Sequence, residues 1–254
     1  MEVHHHSHTA RKKWTHYFWE FLMLFLAVFC GFLAENQREH MIEKHREKDY
    51  IKLLIEDLQA DTAIIHDKIP ELKQAVIGLD TLIEQTYAYL QGKADTRKMY
   101  YNYHRYCRNR FTVALSQRAI NQLKNSGNMR LIRDKKALDI ILGAEVGFQE
   151  LEEQTNIVLE RMENCSQFGT RIFDFHEYQR ANTNADGSTN PQEDGFLKLS
   201  YQPVLNTNDA EYLKEFIARV GYYRNTLNSY ILTLQDVSPA MGEAITNLKK
   251  NYKL

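Results

Sequence analysis

From Tyr17 to Ala34 the chain is apolar at every position except Glu20, a run of eighteen residues. At about 1.5 Å per residue it reaches roughly 27 Å, enough to cross a thin hydrocarbon core. Beyond it the pattern changes from continuous to periodic. Ile51, Ile55, Leu58, Ile65, Ile69, Leu72, Val76, Leu79 and Ile83 alternate at steps of four and three, with Thr62 filling the gap. This heptad-like seam predicts one long helix, kinked at Pro70 or restarted there. The mixed-charge stretch ENQREHMIEKHREK joins the two patterns and predicts a solvated helical stalk.

The flanks of the apolar run decide what it is. Arg11, Lys12 and Lys13 precede Trp14, Tyr17 and Trp19, the basic collar and aromatic belt of a membrane boundary. Signal-peptidase cleavage needs small residues in an A-x-A arrangement, and Phe32 stands two before Ala34. Acylation at Cys30 is opposed by Phe29 beside it. A retained transmembrane helix is therefore expected. Residues 35–43 carry only Arg38 as a base, so the charge bias predicts an inside N-terminus and a C-terminal domain outside; the expected location is the inner membrane, with that domain periplasmic. Glu20, one turn inside the collar, is expected to reach the headgroups, with a helix–helix contact alongside Ala27 and Gly31 as the alternative.

Further along, Gln91-Gly92-Lys93 predicts a stop, and Asp95 or Thr96 a new cap. A second helix is expected to about Asn125. Its block YYNYHRYCRNRF puts Tyr103, Tyr106 and Arg110 on one face, read as bundle packing in preference to a stacking platform for a ligand. Ser126-Gly127-Asn128 breaks the chain and Asp134 caps a third helix, whose pattern from Leu138 through Ile172 runs to about Tyr178. A last region, capped by Asn208 or Asp209, carries Leu213, Phe216, Ile217, Val220, Leu227, Ile231 and Leu234, and Ser238-Pro239 is read as opening a short final helix.

The polar loop NTNADGSTNPQEDG, near 182–195, invites a metal test. Asn182, Asn184, Asp186, Gly187 and Glu193 occupy the first, third, fifth, sixth and twelfth positions of an EF-hand-like register. Asn replaces Asp at the first position and Thr189 replaces an apolar residue. Calcium at 182–193 is thus only a weak alternative to a plain loop, and no metal, cofactor-binding or catalytic residue is assigned. His4, His5, His6, His8 and His16 cluster near the start without a packed element to orient them.

Composition narrows the class. Four prolines and eleven glycines in 254 residues, with 26% charged, describe a helix-rich chain. A net charge of -1 gives no footprint for nucleic acid. With three cysteines, only Cys107 and Cys165 can pair within the soluble part, and reduced core thiols are the simpler reading. Neither HExxH, GxSxG, a Walker loop nor GxGxxG occurs.

The opening MEVHHHSHTARKKWTHYFWEFLMLFLAVFCGFLAENQREH resembles a family of single-pass membrane proteins of unknown function from Bacteroidota, with a His-rich start and an EFLM-type membrane helix. INQLKNSGNMRLIRDKKALDIIL is similar to that family's second recurrent segment. Together they cover about a quarter of the chain, and the resemblance implies location and architecture but no activity. The expectation is an all-α protein. It has a short cytoplasmic tail (1–16), a transmembrane helix (17–34) and an elongated, largely antiparallel helical bundle on a stalk (35–254). Its partners would be the lipid bilayer and a protein or second copy, with no small-molecule substrate identified. A structural or protein-interaction role in the cell envelope is expected, with ligand sensing through a membrane partner as the alternative.

Overall fold

The computed structural model describes residues 14–184, 186–189 and 194–254. Among them are six α-helices and no strand. The chain divides into two units, Met1–Tyr50 and Ile51–Leu254. Helix α1 (Trp14–Leu90) is a single element that contributes to both.

In the first unit, none of the most apolar window of α1 is buried by protein. Phe21, Phe25 and Phe29 stack on one another at i,i+4, with centroids 6.3 and 5.8 Å apart. It is one helix near the N-terminus that is long and apolar enough to cross a membrane. Glu20 pairs with His16 one turn back at 3.1 Å. The other four histidines of the N-terminal cluster lie outside the described residues.

The second unit is a bundle. Ile51, Ile55, Leu58, Ile65, Leu72, Val76 and Leu79 of the seam are buried, as expected, while Ile69 and Ile83 are half-buried. Pro70 does not interrupt α1, and Pro239 does not start a new helix: α6 (Ala210–Tyr252) runs through it. The physical reason is shared. Each proline withholds an N–H from the carbonyl four residues back, His66 or Gln235, and both of those residues are exposed, so water can take the missing donor's place.

Cross-links fix the directions. Thr62 meets Met241, Asp80 meets Arg224 and Tyr89 meets Asn208, so α1 and α6 are antiparallel. Thr155 of α4 (Lys135–Gly169) meets Tyr230, and Phe168 stacks on Tyr212, so α4 and α6 are antiparallel too. The fourth arm descends beside α1. Asp95 N–H donates to Gln85, Tyr106 packs on Gly78, and Ser116 meets Asp61. This arm is not the expected helix to Asn125. Helix α2 (Thr96–Asn102) passes into a π-helical turn, Tyr103–Cys107, then into irregular chain, and α3 (Arg118–Asn125) restores the helix. The expected caps at Asp95, Asp134 and Asp209 all accept backbone N–H groups. The third helix ends at Gly169 instead of Tyr178; α5 (Phe175–Asn182) follows, capped by Asp174.

Two helical glycines mark close approaches. A Cβ on Gly78 would collide with the Tyr106 ring, and one on Gly169 with the Tyr103 ring. A Cβ on Gly221, on α6, would meet nothing within 4 Å among the described residues beyond its own helix backbone and chain neighbours. Gly78→Ala should therefore lose about 1–3 kcal/mol despite alanine's better helix propensity, whereas Gly221→Ala should gain up to about 1 kcal/mol. Denaturant unfolding of the detergent-solubilised chain measures both.

Candidate functional site

The sequence carries no motif of a reactive centre, and the groups that could form a site are its buried polar and ionisable side chains. The descending arm gathers them. Its irregular stretch, residues 108–117, has no helical ladder, and helix side chains receive N–H groups of the arm. Val113 N–H donates to Tyr230 Oη at 3.1 Å, a hydroxyl that also accepts from Thr155. Ser116 N–H donates to Asp61 Oδ1 at 2.8 Å, and Ala119 N–H to Asp57 Oδ2 at 2.9 Å. Gln117 precedes α3 without a capping bond of its own, so Asp57 caps that helix from α1 and also accepts from Arg118 at 2.8 Å.

Above this, rings enclose His104. Tyr178 stacks on it at 4.4 Å and Phe196 at 5.3 Å, while Tyr103 meets it edge-on at 4.9 Å. Its Nδ1 lies 2.9 Å from the Arg108 guanidinium. Arginine can only donate, so Nδ1 accepts and the neutral ring carries its proton on Nε2, which is buried without a partner among the described residues. The expected common face of Tyr103, Tyr106 and Arg110 does not form. Tyr103 donates to Ser166 O of α4, Tyr106 faces α1, and Arg110 is exposed. The buried rings Tyr100, Tyr103 and Tyr106 pack the bundle. Cys107 and Cys165, sequence-distant, are brought together with both sulfurs buried.

The 182–195 loop uses its candidate ligands on itself. Asn182 accepts from Gly195 N–H at 3.2 Å and donates to Tyr178 O. Asn184 donates to Ser188 Oγ, and Asp186 accepts from both the N–H and the hydroxyl of Ser188. Glu193 lies outside the described residues.

A groove of about 390 Å³ opens between α1, α4 and α6. Leu58, Ile140, Gly143, Gly147, Met241 and Ala244 are among its lining, and Leu142 and Val146 are exposed on the same stretch of α4. Sequence reading missed the groove because Gly143, Gly147, Ala240 and Ala244 carry too little side chain to register as a face. The signal was their spacing at four. No family model matches the chain, and no curated protein or solved structure is significantly similar to it.

Two buried groups titrate in opposite senses. Burial pushes the Asp61 carboxyl up to about 6; the Ser116 N–H opposes the rise and the Asp57 charge adds to it. Burial, reinforced by Arg108, pushes His104 down to about 3. The raised Asp61 value means the folded state holds a proton the unfolded chain releases, so stability is lost as pH rises from 3.8 to about 6, about 3 kcal/mol in all. The lowered His104 value means the unfolded chain takes the proton first, so stability is lost as pH falls from 6.5 towards 3. Between about pH 4 and 6 the two slopes largely cancel. Asp61→Asn should unmask stability that rises with pH across that window, and His104→Gln stability that falls with it. Denaturant unfolding of both variants at several pH values checks the opposite signs.

Proposed function

We propose that the protein is a membrane-anchored helical bundle that acts as a structural or protein-interaction component of the cell envelope, without catalysis. In this reading Tyr17–Ala34 spans the inner membrane, the N-terminus stays inside and the bundle stands in the periplasm. The basic collar and the scarcity of bases in residues 35–43 support that orientation. The resemblance to Bacteroidota single-pass proteins bears on location and architecture and implies no activity.

The observation that carries the interaction role is the groove on the bundle. It is apolar and open, and its glycines and alanines let another backbone approach closely, as the seat of a partner helix requires. The exposed Leu142 and Val146 extend this apolar surface. By contrast, the buried Asp57, Asp61 and His104 bind the chain's own segments, an arrangement that serves the fold.

Co-purification of the full chain from mild detergent tests the role. A stoichiometric protein partner or stable homo-oligomer is expected. Val146→Glu, at an exposed position, should release it while leaving the unfolding midpoint within a few degrees. A monomer unaffected by Val146→Glu but stabilised by a metabolite in a thermal-shift screen would replace this reading with ligand sensing, since a groove of this size also suits a small molecule. For orientation, a C-terminal reporter active outside the cytoplasm is the expected result, and one active only inside would overturn it.

A further inference from the structure

Cys107 ends the π-helical turn of the descending arm, and Cys165 lies on α4. They are separated by 58 positions in sequence, yet their sulfurs are 2.9 Å apart in the fully buried core. A disulfide bond is about 2.05 Å long, so closure requires an approach of only about 0.9 Å. The surrounding packing holds the pair from both sides. Next to Cys165, Ser166 O accepts from Tyr103 Oη at 2.7 Å, and next to Cys107 the Tyr106 ring fills the space left by Gly78. Two cysteines serving only as small core residues have no need to face each other. Cys30, the remaining thiol, lies in the apolar N-terminal helix and belongs to the other unit.

We propose that Cys107 and Cys165 are a disulfide-forming pair that locks the descending arm to α4 when the domain meets an oxidising thiol–disulfide couple. The oxidant is a disulfide, carried by a small thiol or by a protein oxidoreductase. One cysteine thiolate attacks a sulfur of that disulfide and expels the first thiolate. The second cysteine then attacks the resulting mixed disulfide and expels the other. The two protons lost by the cysteines end on the two leaving thiolates, so two thiols and one disulfide become one protein disulfide and two free thiols. In the packed domain, burial pushes the Cys107 thiol up and withholds the thiolate, so exchange belongs to the stage before the arm docks or to its transient opening. The pairing itself rests on the geometry; only its formation in the cell rests on the proposed periplasmic placement.

The test equilibrates the purified full chain in detergent, just below its melting temperature, with dithiothreitol or with glutathione disulfide, then alkylates and maps peptides without reduction. Glutathione disulfide should yield one intramolecular Cys107–Cys165 peptide with Cys30 alkylated, and a melting temperature about 10 °C above that of the reduced chain. Cys165→Ala should abolish the redox dependence of melting whatever its own stability. Recovery of both thiols in alkylated form, or of only intermolecular or glutathionylated species, would overturn the proposal. In acid-quenched cells, an oxidised pair supports both the disulfide and the external placement. A pair reduced in cells but closed by glutathione disulfide in vitro supports the disulfide and contradicts the placement.

Discussion

A chain that leaves a helix inside a bundle must still satisfy its backbone, and that constraint shapes most of the second unit. Between Cys107 and Arg118 the arm has no helical ladder. Its N–H groups at Val113, Ser116 and Ala119 are instead received by Tyr230, Asp61 and Asp57. Each is a polar side chain built into a packed helix face, where an unmet backbone donor would cost about 1–3 kcal/mol. The cost of this solution is borne by Asp61, whose second oxygen is buried without a partner among the described residues and whose carboxyl is pushed up to about 6.

The same substitution recurs at the other end. Tyr100 Oη donates to Val204 O and accepts from Asp174 N–H, while the Gln202 side chain accepts from both the N–H and the hydroxyl of Thr96. Irregular segments are thus pinned by a tyrosine rooted in α2 and by an amide that the 202–205 stretch sends back to the start of that helix. The π-helical turn gives a reason for the aromatic density. It buries Tyr103, His104, Tyr106 and Cys107 within five residues, directing Tyr103 to α4 and Tyr106 to α1. Gly169 and Gly78 supply the room on those two helices.

What the sequence made legible follows from periodicity and capping chemistry. The seam of α1, the breaks at Gly92 and Gly127, both with positive φ, and the caps at Asp95, Asp134 and Asp209 are local signals, and they hold. The irregular stretch is hidden by the helical appearance of the block before it. Its own signal was the alternation of Phe111, Val113 and Leu115, a period of two. Asp57 and Asp61 looked like ordinary helix-surface acids. Their role depends on a segment more than fifty residues away, so spacing alone could not disclose it. The proximity of Cys107 to Cys165 is likewise tertiary.

Leu58, which lies between those two aspartates in the sequence, contributes to the groove proposed as the interaction surface. The anchoring of the arm and the shape of that surface therefore share one stretch of α1. Hydrogen exchange by mass spectrometry on the full chain, wild type against Asp57→Ala, addresses this anchoring directly. Faster exchange confined to the arm, residues 108–125, with α4 and α6 still protected, is the result this account predicts. Unchanged protection of that stretch would contradict it.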